Sequence, residues 1–338
     1  MRPFKASITG LAAMLITLLC IPAASCDRLH EDLQPCPTGA RLRFVYDYNM
    51  EFANAFPSQV DCLTLLIYDN AGNYLRTHTA ARPQTADEDW RMTIDLPAGK
   101  YRMLAYGGMD CAEASFSFTS DPETTPIQDL QVRLNSDLLT YPEGHALHHL
   151  FYGSLDLEIP QPGAGTTYTD ATVYMMKDTN DIRILLANEN GTPTDAADFE
   201  FSITSDNTLM NYRNAIIPVA GTTYSPWAQG NAEMGVLDSD EPATVAYAEL
   251  SISRLVKGNP TTLLITRKSD GVEVVRIPLI NLLMLYKGER YSSMPAQEFL
   301  DRENRWNITF FLTGDGVWLR TRIVVNDWIV RINNISEM

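Results

Sequence analysis

The chain has 338 residues, of which 45% are hydrophobic and 20% are charged. This is the balance of a globular protein, and the length allows two or three buried cores. The formal net charge is −16. A strongly acidic surface argues against nucleic-acid binding, which needs a basic stripe, and against electrostatic docking on anionic lipid. Any attachment to a membrane must therefore come from something other than a basic patch.

The N-terminus predicts export. Residues 1–25 begin with the basic stretch "MRPFK", continue through an apolar core that is too short for a convincing transmembrane helix, and end in Ala23, Ala24 and Ser25. Small residues directly before Cys26 look like a bacterial lipoprotein signal. In that interpretation Cys26 becomes the first mature residue and carries a diacylglycerol and an acyl chain, which together anchor stably. The alternative is an ordinary cleaved signal followed by a chance cysteine.

Apolar residues then recur mostly with a period of two, which predicts β-strands. Residues 61–80 and 90–108 each predict a strand, a turn and a second strand, with the turns around Gly72 and Pro97. One short helix is expected at 294–304. The other predicted strands lie within 41–50, 130–135, 150–159, 172–192, 198–204, 244–255, 261–285, 305–314 and the long alternating run 320–333.

The order of strands and turns in the first half looks like a transthyretin-like sandwich. We therefore expect an all-β chain with an antiparallel β-sandwich in its first half and a second β-rich domain after it. Two prolines and two glycines in residues 160–170 mark the break between them. The expected division is a lipoprotein signal peptide at 1–25, an N-terminal sandwich at 26–159 and a C-terminal sandwich at 160–338.

Three cysteines remain once the signal has left and Cys26 is lipidated: Cys36, Cys62 and Cys111. In a transthyretin-like sheet, the strand that starts near Cys62 lies antiparallel beside the strand 100–107, which places Cys62 close to Cys111. We expect a Cys62–Cys111 disulfide. A bond from Cys36 to either of the two is the alternative.

No catalytic constellation is recognisable, since G-x-S-x-G, G-x-x-x-x-G-K-[ST] and H-E-x-x-H are all absent from the sequence. His145, His148 and His149 have no carboxylate or cysteine at a recognisable metal spacing, so no metal site is predicted. The acidic stretches 178–181 and 238–242 lack the calcium-loop pattern and are expected to be solvated turns. The five tryptophans favour core packing over a glycan-binding face.

The stretch from Cys36 to Gly108, together with "LFYGSLDLEI" and the closing "VVNDWIVRI", strongly resembles the fimbrillin-associated anchor lipoproteins of Bacteroidales. These are the minor subunits that anchor type V fimbriae, and the resemblance covers most of residues 26–338. It implies an all-β fold of two tandem transthyretin-like antiparallel β-sandwich domains, with no enzymatic activity and no cofactor beyond the lipid. It also implies an outer-membrane lipoprotein at the base of the fimbrium, which holds the fimbrial shaft at the cell surface and limits its length.

The resemblance also implies a mechanism. In these fimbriae a protease removes the N-terminal strand of a shaft subunit, and the open groove accepts a strand from the next subunit. An anchor keeps its first strand because its N-terminus carries the lipid tether, so polymerisation ends there. Arg41 and Arg43 are candidate cleavage points for a trypsin-like protease in a shaft subunit, but here they lie inside the first predicted strand.

The segment 320–338 is the expected contact with the shaft subunits, with Val324, Val325, Trp328 and Val330 as the contact residues. Strand addition satisfies a row of backbone groups and fills side-chain pockets. The simpler interpretation is that this strand only closes the sheet of its own domain. A fimbrial tip subunit, or a surface adhesin that binds a glycan or a protein, is the alternative function. No nucleic-acid partner is expected.

Overall fold

The structure, a computed structural model, describes residues 37–82, 84–109, 111–140, 144–161, 167–235, 242–288, 291–314, 316–325 and 328–330. The strands of the first half are β1 (Thr38–Val45), β2 (Cys62–Asp69), β3 (Tyr74–Ala81), β4 (Met92–Asp95), β5 (Gly99–Gly107), β6 (Phe116–Phe118), β7 (Gln131–Leu134), β8 (Phe151–Ile159) and β9 (Thr167–Lys177). The strands of the second half are β10 (Thr179–Asn188), β11 (Phe199–Ser205), β12 (Leu209–Asn211), β13 (Thr222–Tyr224), β14 (Ala228–Met234), β15 (Ala243–Ser253), β16 (Thr262–Arg267), β17 (Glu273–Pro278), β18 (Arg305–Leu312), β19 (Trp318–Val325) and β20 (Trp328–Val330). The described helices are α1 (Phe56–Gln59), α2 (Asp137–Thr140), α3 (Leu279–Tyr286) and α4 (Ala296–Arg302).

The chain is nearly all-β, as the period of two predicts. A seven-stranded sheet in the order β3-β2-β5-β8-β9-β1-β4 forms the first half, and a six-stranded sheet in the order β14-β15-β10-β18-β19-β20 forms much of the second. A four-stranded sheet, β13-β11-β16-β17, and a three-stranded sheet, β12-β7-β6, complete the fold. The pairing is not wholly antiparallel, because β1 runs parallel to β9 and β10 runs parallel to β18. Each parallel pair joins strands far apart in sequence, where no tight turn imposes an antiparallel arrangement.

The hairpin predicted at 61–80 is present as β2 and β3, which pair antiparallel. The hairpin predicted at 90–108 is wrong. Its first strand, β4, pairs with β1, whereas its second strand, β5, lies between β2 and β8. The corner at residues 96–98 therefore carries the chain from one part of the sheet to another. The Tyr101 hydroxyl donates a hydrogen bond to the Pro97 carbonyl across this corner, at 2.8 Å.

The segment 261–285 does not end as a strand. β17 stops at Pro278, and α3 begins at the next residue. The buried side chains of α3 are Leu279, Ile280, Leu282 and Leu283, which recur at helical spacing. An almost wholly apolar run hides this periodicity, so its sequence also fits a buried strand. The helix predicted at 294–304 is present as α4.

The chain passes from the seven-stranded sheet to the six-stranded sheet at Asp178, between β9 and β10. The predicted domain break lies earlier, near residue 160. β9 pairs with β1 along eight residues and with β8 at Gly153 and its neighbours, so it belongs to the first sheet. The proline- and glycine-rich stretch is therefore the link between β8 and β9. The break in composition therefore does not mark a change of sheet, because the strands on either side of it, β8 and β9, belong to one sheet.

The two halves share a core. One buried apolar cluster contains Tyr106 and Leu130 from the first half and Ile182 and Phe310 from the second. Backbone pairing also crosses between the halves, because β7 pairs antiparallel with β12. The Tyr152 hydroxyl adds a hydrogen bond of 2.9 Å to the Tyr212 carbonyl. Apolar packing and sheet hydrogen bonds thus hold the halves together.

A buried ionic group lies where the halves meet, and we call Arg254, Asp301, Asp178 and Asn214 the junction cluster. The Arg254 guanidinium binds Asp301 through two hydrogen bonds, of 2.8 and 2.9 Å, and its Nε lies 3.9 Å from Asp178 Oδ1. A third nitrogen of Arg254 donates to the Asn214 carbonyl at 2.7 Å. Asn214 has a φ of 60°, a conformation that asparagine tolerates better than most residues. One cation thereby ties three separate segments together.

Asp178 contradicts the expectation of a solvated turn at 178–181, because it is fully buried. Its Oδ1 accepts a hydrogen bond of 2.8 Å from Asn214 Nδ2, whereas its Oδ2 is buried with no hydrogen-bond partner among the described residues. Burial raises the pKa of the Asp178 carboxyl to about 7, against the opposing effects of Arg254 and Asn214. The junction therefore contains a carboxyl group that resists ionisation.

A second polar group lies beside the junction cluster. The Lys177 side chain is fully buried, and its Nζ lies 3.2 Å from His149 Nε2 and 3.6 Å from Asp181 Oδ2. Burial lowers the pKa of Lys177 to about 8, although Asp181 opposes this. Burial acts to raise the pKa of Asp181, but His149 and Lys177 outweigh it and lower that pKa to about 2. A loop before β8, the end of β9 and the start of β10 are thus joined.

We expect Arg254→Met to lower the free energy of unfolding by about 3–5 kcal/mol, because it leaves two buried carboxyl groups without their cation. Arg276→Met is the matched control. Arg276 pairs with Glu273 on the surface, where both side chains are about half exposed, so its loss should cost less than about 1 kcal/mol. Urea unfolding followed by tryptophan fluorescence measures both. Equal losses in the two variants would contradict this account of the junction.

Asp178 predicts a pH dependence. The folded chain keeps this carboxyl protonated up to about pH 7, whereas an unfolded chain releases the proton near pH 4. Between these values the folded state binds more protons, so the free energy of unfolding falls as the pH rises. Asp178→Asn removes this fall, which amounts to about 1.4 kcal/mol for each unit of pKa difference. Urea titrations at about pH 4.5 and 7.5 should show the wild type losing stability relative to the variant.

The control for this experiment is Asp270→Asn. A hydrogen bond from Arg267 lowers the pKa of Asp270, so the contribution of that carboxyl changes only at more acidic pH. Parallel pH profiles for the wild type and Asp178→Asn would show that Asp178 ionises normally in the folded chain.

Candidate functional site

β1 is an interior strand of its sheet, with a neighbour on each side. It pairs parallel with β9 from Thr38 to Val45, and antiparallel with β4 from Gly39 to Leu42. Residues Ala40, Leu42 and Phe44 are buried, whereas the intervening Arg41 and Arg43 are exposed. The alternation of apolar and polar residues in the sequence therefore corresponds to an alternation of buried and exposed side chains along β1. The two arginines expose their side chains from a backbone that is hydrogen-bonded within the sheet.

The pairing of β1 with β4 is unusually close at Gly39. A Cβ atom at this position would overlap the carbonyl oxygen of Ile94 on β4. Farther along β1, the Phe44 ring stacks on the rings of Phe56 and Trp90, with centroids 5.7 and 5.9 Å away. β1 is thus fixed by close backbone contact at one end and by aromatic packing at the other.

The C-terminal segment is a hairpin rather than the single long strand expected at 320–333. β19 and β20 pair antiparallel, with Val325 opposite Trp328, and we call these two strands the C-terminal hairpin. Asn326 and Asp327, which lie between the strands in sequence, are of the residue types that favour turns. β20 ends the strand order of its sheet among the described residues.

The four predicted polymer contacts fall in this hairpin but differ in accessibility. Val325 is fully buried in the core, and Val324 is half-buried against a small apolar cluster. Trp328 and Val330 have backbone partners on β19, and their side chains lie outside the described part of the chain. Val325 is therefore a core residue, because its side chain faces inward from β19.

The structure joins Cys62 to Cys111 by a disulfide, with the Cα atoms 5.9 Å apart. Cys36 and the predicted lipidation site, Cys26, lie outside the described residues. Cys62 opens β2, and Cys111 follows β5, its antiparallel neighbour. The bond therefore spans adjacent strands at one end of the sheet.

The three histidines do not share a helix face, because residues 145–150 have no regular secondary structure. His145 is exposed, His149 belongs to the polar group at the junction, and His148 lies beside the disulfide. The His148 Nε2 is 3.2 Å from the Asp61 carboxylate. Sequence spacing gives no sign of this pair, because Asp61 lies 87 positions before His148, just ahead of β2. The sequence also missed the Arg254–Asp301 pair, which forms only when β15 and α4 come together.

The tryptophans divide between core and half-buried positions. Trp306 and Trp318 are buried, and Trp90 and Trp227 are half-buried. The Trp306 indole donates a hydrogen bond of 3.2 Å to the Asn180 side chain, within the core. The side chain of Trp328 lies outside the described part of the chain.

Comparison with known families decides what kind of protein this is. The family model of the fimbrillin-A associated anchor proteins Mfa1 and Mfa2 matches residues 33–334. The chain belongs to this family. The match confirms the resemblance seen in the sequence, and the family is one of fimbrial anchor proteins rather than of enzymes. Among curated proteins, none matches significantly.

Solved structures agree with this membership. A protein of Bacteroides thetaiotaomicron described as a candidate adhesin is 48% identical and superposes with a TM-score of 0.84, covering 89% of this chain and all of that one. A second B. thetaiotaomicron protein, described as a candidate polysaccharide-binding protein, is 28% identical with a TM-score of 0.74, covering 88% of this chain and 99% of the other. The fimbrial anchor protein Mfa2 of Porphyromonas gingivalis is 17% identical, with a TM-score of 0.64 and the same coverages. At 17% identity, the similarity to Mfa2 shows a shared fold and nothing more.

Among the described residues, no helix is both long enough and apolar enough to cross a membrane.

We expect Gly39→Ala to loosen β1, since the added methyl group has no space beside Ile94. The free energy of unfolding should fall by about 1–3 kcal/mol, as for other overpacked positions. Limited trypsin digestion of the folded protein should cut after Arg41 or Arg43 faster than in the wild type. The control is Gly235→Ala, because a Cβ atom there would meet nothing within 4 Å. If both variants match the wild type, β1 does not have the close contact described.

Proposed function

We propose that this protein anchors a fimbrial shaft at the cell surface and ends its polymerisation. In this proposal Cys26 carries a diacylglycerol and an acyl chain that hold the N-terminus in the outer membrane. The membership of the anchor family and the export signal before Cys26 both support the proposal.

The observation that carries the proposal is the two-sided pairing of β1. A strand between two partners occupies the space that an incoming strand would need, so a chain that keeps β1 has no open groove there. A protease needs an unpaired, extended stretch of backbone, and the bonds after Arg41 and Arg43 lie inside this paired strand. The lipid tether precedes β1 in sequence, so retention of the tether and retention of β1 belong together.

The two halves are proposed to be sandwich units of the transthyretin-like kind. Each half contains one long parallel pair, and in each the pair joins the first strand of that half to a much later one. This recurrence supports two related units, although β9 places their division at Asp178. The second unit keeps its first strand, β10, between β15 and β18, so its sheet is also filled at this position.

The shaft subunit is proposed to bind at the C-terminal hairpin. β20 ends the strand order of the described sheet, and a partner strand can add to such an edge through backbone hydrogen bonds. Val325 takes no part while β19 stays in place, because its side chain fills the core. The proposed contact therefore consists of β20 and the residues that follow it.

A surface adhesin or a fimbrial tip subunit is the second candidate. Its support is the description of two relatives, one as a candidate adhesin and the other as a candidate polysaccharide-binding protein. An adhesin would bind its ligand without being needed to hold the shaft on the cell.

Deletion of the protein separates these functions. We expect cells without it to shed fimbriae into the medium, and the shed filaments to be longer than in the wild type because termination is lost. Electron microscopy of cells and of the culture medium measures both. Restoration by the wild-type chain, but not by Cys26→Ala or by a chain that ends at Val325, would support both the tether and the hairpin.

Fimbriae of normal length and attachment after deletion would contradict the anchor proposal. If the same cells also lose adhesion to a glycan-coated surface, the adhesin is supported. A Glu233→Gln chain is the matched complementation control, since this exposed residue lies on β14, at the other end of the sheet from β20.

A further inference from the structure

Four side chains with metal-binding atoms converge at one end of the first sheet: Asp61, Cys62, Cys111 and His148. We call them the disulfide cluster. Cys62 opens β2 and Asp61 precedes it, Cys111 follows β5, and His148 precedes β8. Because β5 runs antiparallel to both β2 and β8, the starts of those strands and the end of β5 lie at the same edge. The topology therefore brings together residues that are far apart in sequence.

The distances within the cluster are short. Asp61 Oδ1 lies 3.2 Å from His148 Nε2 and 3.5 Å from Cys111 Sγ. One ligand atom from each of the four residues lies within 4.8 Å of all the others. Around a tetrahedral zinc ion, sulfur, nitrogen and oxygen ligands sit roughly 3.3–3.8 Å from one another, given the usual bond lengths. Asp61 is thus spaced from His148 and Cys111 almost as around a zinc ion, whereas the two sulfurs, which are bonded to each other, must separate to bind one.

The chemistry of the donors selects the metal. Two thiolates and an imidazole are soft or borderline ligands that favour zinc, whereas calcium and magnesium prefer an all-oxygen site. In the disulfide both sulfurs are bonded to each other, so neither is a thiolate. The chain is synthesised with free thiols, and the dithiol form has all four ligands.

We propose that the dithiol form of this protein binds one Zn²⁺ through Cys62, Cys111, His148 and Asp61. Binding releases one proton from each thiol, and the metal takes the place of the bond between the sulfurs. Exchange with a small-molecule disulfide then joins the two sulfurs, reduces that disulfide to two thiols with two protons from water, and releases the zinc ion. The metal and the disulfide are alternative occupants of one site.

The surrounding backbone holds the ligands in place without the metal. The Cys62 amide donates to the Asp61 carboxylate at 2.9 Å, and the His148 amide donates to Ser115 Oγ at 2.7 Å. Gly108 has a φ of 84°, and a Cβ atom there would overlap the carbonyl oxygen of His149, so only glycine permits this approach. An open cleft of about 520 Å³, lined in part by Asp61 and His148, gives the metal a path from solvent.

Equilibrium dialysis of the purified full-length protein against ZnSO₄, after reduction with a phosphine, tests this proposal. We expect the reduced wild type to bind one more zinc ion per chain than the Cys62→Ser/Cys111→Ser variant, which accounts for zinc held elsewhere. Oxidation with a small-molecule disulfide should release that ion. His148→Gln and Asp61→Asn should each weaken binding at least about tenfold, because each removes a ligand. His145→Gln, an exposed neighbour, is the control and should bind as the wild type does.

Three results would overturn the proposal. The first is a reduced wild type that binds no more zinc than the double serine variant. The second is wild-type affinity in His148→Gln and Asp61→Asn, since two thiolates would then act alone. The third is a reduced chain whose β-sheet circular dichroism spectrum disappears and does not return with zinc. None of these results bears on the anchor proposal, which does not depend on the metal.

Discussion

The position of β1 between β9 and β4 is the constraint on which the first half depends. Its parallel partner, β9, is the last strand of that half and leads directly into Asp178 and β10. The first strand, the last strand and the junction are therefore continuous parts of one hydrogen-bonded structure. Removal of β1 would leave β4 and β9 without a shared neighbour and would take the buried side chains of Leu42 and Phe44 out of the core. In the proposed anchor, retention of this strand is what would end the polymer.

The junction determines how the two halves behave as a unit. The Arg254–Asp301 pair, the Asp178 carboxyl and the shared apolar core all lie where the two halves meet. Paired, buried charges cost more to separate than exposed ones, because the partner left behind stays out of water. In the proposed anchor, a pull on the shaft would pass through this junction to the membrane. Three features suit the junction to that load. The chain itself continues through Asp178, β7 pairs with β12, and the two halves share one core.

Much of the fold could be predicted from local patterns. The alternation of apolar residues placed most strands, and Gly72 marked the turn of the β2–β3 hairpin, where its φ is 86°. The failures have physical causes. The apolar run after Pro278 fits a buried strand and a buried helix equally well, and the tertiary environment selected α3. The partners of β4 and β5 depend on contacts across the whole domain, so the sequence around Pro97 could not show that they do not pair with each other.

The functional features also divide into those that a local pattern predicts and those that depend on contacts between distant residues. The predicted lipoprotein signal is a local motif, so the sequence alone is enough to propose it. The disulfide partners could be inferred only through the resemblance to a known sheet. The Arg254–Asp301 pair joins residues 47 positions apart, and the contact between Asp61 and His148 joins residues 87 positions apart. No local pattern carries that information, because these residues meet only when distant elements pack together.

The central claim is that the chain reaches the surface with its tether attached and β1 intact. Mass spectrometry of the protein isolated from fimbriated cells tests this most directly. We expect the mature N-terminus to be Cys26 bearing a diacylglycerol and an acyl chain, with the peptide that contains residues 38–45 present in the same molecule. An unmodified terminus, or one that begins after Val45, would contradict the account.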